Sequence, residues 1–150
     1  MKKFSIKYIV LAALFGALCY VSSLLKIPIG PVPFTAQTAA VLLSALILPP
    51  FAAFASQFIH FLLIFLLGSG TALFIAPSFG FIIGFIVAAP IVSFLARRFN
   101  NFVGFIIAAL VGEVIFYAFG IPFMTYVLTG LQGKNFDLQQ ILGFGLYPFI

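Results

Sequence analysis

Apolar positions run along this chain in long blocks, broken only by glycine, proline and charge. The first block, Ile6–Leu25, is about 30 Å long as a helix at 1.5 Å per residue, enough to cross a bilayer. Pro28, Pro31 and Pro33 follow it. Each removes a backbone donor and restricts its predecessor, so Lys26–Pro33 is expected to be a loop. The pattern then predicts helices over Phe34–Leu48, stopped at Pro49-Pro50, and over Phe51–Leu67, stopped at Gly68-Ser69-Gly70. A second irregular stretch, Gly68–Gly80, carries Thr71, Pro77 and Ser78. Helices over Gly80–Ala96, with a kink at Pro90, and over Phe102–Leu128, passing Pro122, complete the long blocks. A polar loop, Gly130–Asp137, precedes a partial apolar segment, Leu138–Ile150, which is too short to span.

Composition turns this pattern into a statement about solvent. Of 150 residues, 65% are apolar and 6% charged, and the mean hydropathy is +1.34. Soluble domains average roughly 25% charged residues, so this chain could not clothe its own surface with polar groups. The 70 residues from Ile27 to Ala96 carry no formal charge. A water-soluble fold, a disordered chain and a basic nucleic-acid-binding domain are excluded. The expectation is one all-α domain, residues 1–150, built as a polytopic helical bundle in the lipid bilayer. Its basic start is like that of a signal peptide, but Ile6–Leu25 is longer than an h-region and no A-x-A site closes it. It reads as a retained first helix. Cys19 is alone, so neither a disulfide framework nor a metal-spaced cysteine set exists, and no metal or cofactor is expected.

The net charge of +5 is a topology signal. Lys2, Lys3, Lys7, Arg97 and Arg98 fall on one side of the predicted spans, and Lys26 and Lys134 on the other. The positive-inside rule then places the N-terminus in the cytoplasm of a multi-pass cell-membrane protein. The three longer loops, after the first, third and fifth helices, lie on the outer face. A site belongs there, because irregular backbone at membrane depth is tolerated only where it lines a cavity or is buried in protein.

Few side chains can carry chemistry. Glu113 and Tyr117, four residues apart, share a helix face. An ionisable group at membrane depth marks a functional site, or is a protonated glutamate joining two helices. His60 lies three residues after Gln57 and reads either as a helix–helix hydrogen-bonding residue or as a proton relay. Thr35, Gln37 and Thr38 open the second helix, where Thr35 can cap and free N–H groups can meet a ligand. Ala13 and Ala17, beside Ala12 and Gly16, make small-xxx-small pairs suited to internal packing or to docking on another membrane subunit. Gly130-Leu-Gln-Gly133-Lys134 lacks the spacing and the preceding strand of a phosphate loop. Two carboxylates and one histidine leave an enzyme or an ion-driven pump little to work with. A solute carrier of this composition would draw its energy from an ATP-hydrolysing partner.

One stretch is specific. Ile27-Pro-Ile-Gly-Pro-Val-Pro-Phe-Thr-Ala-Gln-Thr38 closely resembles the signature after helix 1 of the BioY family, the biotin-binding S-components of energy-coupling factor transporters. Ser56-Gln57, Ala76-Pro77-Ser78-Phe79-Gly80-Phe81, Tyr117-Ala-Phe-Gly120 and Gly145-Leu-Tyr-Pro-Phe149 are similar to further motifs of that family, in its order. His60 and Phe81 both stand where the family usually has Tyr. The chain ends before the family's Pro-Gly-Asp and its downstream Lys, so the sixth helix is expected to be truncated.

The resemblance implies a six-helix S-component that captures biotin at the outer face and is no enzyme. It also implies docking through helix 1 onto a transmembrane coupling subunit driven by two cytoplasmic ATPase subunits. On this chain the docking pair would be Ala13 and Ala17. The polar groups at the substrate would be Thr35, Gln37, Ser78 and Tyr117, with Phe81 packing on the rings. Three alternatives stand beside this reading. One is an S-component for another vitamin. Another is a membrane-embedded enzyme using Glu113 and His60 as an acid–base pair, which requires the two within hydrogen-bond reach, directly or through water. The third is a non-transport assembly or scaffold protein, favoured if no polar cavity exists on the outer side.

Overall fold

The computed structural model describes residues 5–27, 34–133 and 135–145. The basic residues Lys2, Lys3 and Lys134, the prolines of the first loop and the Leu146–Phe149 part of the last motif lie outside the described residues. The described part is an all-α bundle of α1 (Ile6–Leu24), α2 (Gln37–Ile47), α3 (Pro50–Leu63), α4 (Phe79–Phe99), α5 (Phe102–Thr125) and α6 (Leu138–Gly145). Among the described residues four stretches are long and apolar enough to cross a membrane: Ile6–Leu24, Pro50–Gly68, Phe79–Phe99 and Phe102–Leu131. This is a multi-pass membrane protein. Its large exposed apolar side chains, such as Leu14, Leu18, Phe94 and Leu110, are then lipid-facing rather than a liability.

The bundle centres on α4, which packs along α5 and also meets α2 and α3, while α1 lies across α3 and α2. Small residues set these approaches. A Cβ on Gly16 of α1 would sit 2.8 Å from the Ser56 carbonyl oxygen of α3. One on Gly80 of α4 would sit 2.6 Å from the Phe119 carbonyl oxygen of α5. Because backbone cannot yield as a side-chain tip can, Gly80→Val is expected to cost about 1–3 kcal/mol by overpacking. A lowered thermal midpoint in detergent is the measurement, and an unchanged midpoint would mean that α4 and α5 sit further apart.

Hydroxyls in the spans satisfy themselves locally, as lipid demands. Ser44 donates to the Val41 carbonyl at 2.7 Å, Ser56 to Ala53 at 2.8 Å and Thr125 to Ile121 at 2.8 Å. At one end of the bundle Ser93 of α4 donates to the Leu48 carbonyl, and Arg97 reaches the Ile47 carbonyl at 3.2 Å. The α4–α5 turn at that end is made by asparagines. Asn100 takes the left-handed conformation (φ 43°, ψ 39°), which Asn tolerates better than most residues, and Asn101 Oδ1 caps α5 by accepting from Gly104 N–H at 2.6 Å.

The bounds differ from expectation in three places. The second helix begins at Gln37, not Phe34, because Lys26–Ile27 and Phe34–Thr35 pair as a short antiparallel ladder. Its N-cap position is therefore Ala36, which makes no side-chain capping bond, and Thr35 stands one residue outside; its hydroxyl meets Gln37 N–H only at 3.4 Å. The stretch after the third helix is not irregular. It is a π-helical turn, Ile64–Ser69, broken at Gly68 (φ −109°, ψ −105°), then a 3-10 helix, Gly70–Ile75, opened by Gly70 at φ +54°. The fourth and fifth helices run longer than expected, the fifth continuing through a π-helical turn, Tyr126–Leu131.

Candidate functional site

The ladder, the start of α2, the 3-10 segment and the upper parts of α4 and α5 converge on one cavity. It has an empty volume of about 800 Å³, open mouth included. All five sequence-predicted substrate residues line it: Thr35, Gln37, Ser78, Phe81 and Tyr117. They come from four elements spread over more than half the chain, so their meeting is a property of the fold rather than of any one motif.

Each is placed by its local backbone. Thr35 sits on the second strand, held opposite Lys26. Gln37 is the first residue of α2, half-buried, so its side chain projects from the helix mouth. Ser78 precedes α4, and Phe81 follows one turn inside it. Tyr117 stands on α5, its ring edge-on to Phe81 with centroids 6.1 Å apart at 87°. Behind them the wall is aromatic: Phe85 meets Phe116 edge to face at 4.7 Å. The site thus sets an aromatic wall against a group of polar side chains.

Two charged residues line the same cavity. Glu113 is half-buried on α5, one turn before Tyr117. Lys26, on the first strand, is exposed and is the sole basic residue among the described lining residues. Sequence reasoning treated Lys26 only as a topology charge and missed it as a lining residue. The available signal was its place directly before the specific motif, at the turn that reaches back to Thr35.

His60 lies just outside the cavity wall, fully buried on α3. Its Nε2 is 3.1 Å from Gln37 Nε2, and its ring stacks on Phe85 at 6.5 Å and 28°. Its Nδ1 has no partner. No direct hydrogen bond therefore joins His60 to Glu113. One turn earlier, Gln57 is also fully buried, donating from Nε2 to Ser44 Oγ at 2.9 Å and to Ser56 Oγ at 3.1 Å.

The two small pairs of α1 separate. Ala12 and Gly16 are buried against the bundle, whereas Ala13 and Ala17 are exposed on its outside.

The comparisons with known proteins agree with this architecture. The BioY family model matches residues 1–150. Among solved structures the chain is similar to the crystal structure of the S-component for biotin from an ECF-type ABC transporter, at TM-score 0.72 and 23% identity. That match covers 85% of this chain and 79% of the other. No curated protein matches the sequence.

Proposed function

The chain belongs to the BioY family, and on that premise we propose that it is the substrate-binding membrane subunit of a biotin uptake transporter. The observation that carries this reading is the meeting of Thr35, Gln37, Ser78, Phe81 and Tyr117 around one cavity. Biotin presents a ureido ring with two N–H donors and a carbonyl acceptor, an apolar thiophane body and a valerate carboxylate. The aromatic walls suit the fused rings, and the amide and hydroxyls suit the ureido group. Lys26, exposed at the mouth, suits the carboxylate. The loop-bearing end faces outward in this reading and the N-terminus is cytoplasmic. Ala13 and Ala17 then dock on a transmembrane coupling subunit energised by two cytoplasmic ATPase subunits.

Labelled biotin is expected to bind membranes carrying the protein and to be displaced by unlabelled biotin, not by riboflavin or thiamine. Displacement by one of the latter would move the protein to another vitamin; no binding of any would overturn the reading. Lys26→Met tests the pose. An exposed ion pair is screened, so biotin should weaken at most about 5-fold. The uncharged biotin amide should bind wild type and variant equally. Equal losses for acid and amide would take Lys26 away from the carboxylate.

A further inference from the structure

Two buried side-chain atoms among the described residues lack a hydrogen-bond partner, Gln57 Oε1 and His60 Nδ1. They belong to residues three apart on α3, hence on one face, and both side chains are fully buried. Their neighbours decide what each can be. Ser44 and Ser56 each have one hydroxyl proton, and each donates it to a carbonyl of its own helix. Towards Gln57 both hydroxyls can then only accept, so the Gln57 amide must turn its NH2 to them. Its two hydrogens are shared there among the two serine hydroxyls and Cys19 Sγ, 3.6 Å from the same nitrogen. Its oxygen is left over as an acceptor on the side away from the serines.

That orphan acceptor selects the His60 tautomer. With the proton on Nδ1, the two leftover atoms are a donor and an acceptor on one face of α3. With the proton on Nε2, both leftover atoms are acceptors and the Nε2 hydrogen faces the Gln37 NH2. A proton on Nδ1 makes Nε2 an acceptor, and Gln37 Nε2 stands 3.1 Å from it, in place to donate. The polarity therefore propagates in one direction, from Ser44 and Ser56 through Gln57 and His60 to Gln37. The NH2 end of the Gln37 amide is thus turned to His60, with one of its two hydrogens engaged there, and the opposite end, the oxygen, is left for the cavity that Gln37 lines.

We propose that Gln57 and His60 are positioning residues that fix which end of the Gln37 amide meets the ligand, so that the site offers a carbonyl oxygen and selects a ligand N–H. The inference rests on the biotin reading, and the N–H it takes is one of the two on the ureido ring. The ureido carbonyl is left to other donors.

The experiment measures binding of biotin and of 2-iminobiotin, in which a protonated imine replaces the ureido carbonyl at neutral pH while the ring N–H groups remain. Gln37→Ala, a change at a half-exposed position, is expected to weaken both ligands by a similar factor, about 5- to 150-fold. If Gln37 instead presented its NH2 to the carbonyl, the variant would weaken biotin alone and leave 2-iminobiotin equal or tighter. That result overturns the inference and leaves the biotin reading standing. Wild type that binds neither ligand overturns the reading itself. His60→Phe keeps a ring against Phe85 and removes the acceptor. It should weaken biotin about 2- to 10-fold in wild type and not at all in the Gln37→Ala background. Equal losses in both backgrounds would make His60 a packing residue only. Should His60→Phe fail to fold, the two-ligand comparison on Gln37→Ala still decides.

Discussion

Ala17→Leu, and likewise Ala13→Leu, is expected to abolish cellular uptake of biotin while the purified protein still binds it. Helix α1 carries two rows of small residues, and the bundle uses only one. Ala12 and Gly16 are buried, with Gly16 pressed so close to α3 that a Cβ would meet the Ser56 carbonyl. Ala13 and Ala17 lie on the exposed face, among Val10, Leu14, Leu18 and Val21, where lipid would accept any large apolar side chain. Nothing inside the bundle requires alanine there. In lipid, helices associate through close packing rather than through a hydrophobic force between them. A branched side chain at either position would therefore hold a partner helix off. Uptake in cells that also make the coupling subunit and ATPases, set against binding by the isolated variant, separates the cases. Gly16→Leu is the contrasting control and should lose fold and binding together. Parallel loss of uptake and binding in Ala17→Leu would mean that this face serves the bundle itself.

The spans were legible because hydropathy and proline placement are local properties of the chain. The ends were less so, and each miss has a cause. Phe34–Thr35 is apolar-rich and adjoins a helix, so periodicity assigned it to α2; its pairing with Lys26–Ile27 depends on residues across the loop. Gly68-Ser69-Gly70 was read as a stop, yet the backbone goes on through a π-helical turn into a 3-10 segment that returns towards the site. The expected fourth helix stops at Ala96 because charge ends an apolar block. The helix carries Arg97 and Arg98 on to Phe99 and ends only where Asn100 turns left-handed. At the site, Thr35, Gln37, Ser78, Phe81 and Tyr117 were each within or beside a recognisable motif. The bond from Gln37 to His60 joins residues 23 apart on different helices, and no local pattern announces it.

Phe81→Ala should have the largest effect on the cavity itself. Phe81 is 8% exposed. Its ring edge lies so close to Gly120 of α5 that a Cβ there would overlap three ring carbons, and it meets Tyr117 edge-on at 6.1 Å. The ring thus does two jobs, filling the α4–α5 seam and forming part of the wall against which a flat ligand would lie. Truncating a buried Phe to Ala costs about 3–5 kcal/mol when the surroundings cannot collapse. The thermal midpoint in detergent should fall accordingly, and biotin binding should be lost. The double variant Phe81→Ala with Gly120→Leu distinguishes the two jobs. Leucine from the facing helix refills part of the seam, so stability should partly return; residues in contact are non-additive in this way. Binding should not return, because a branched aliphatic does not rebuild a flat wall or the edge contact with Tyr117. Gly120→Leu alone should destabilise, since both side chains would claim one space. Recovery of binding along with stability would mean that Phe81 serves the ligand only by holding α4 and α5 at their spacing.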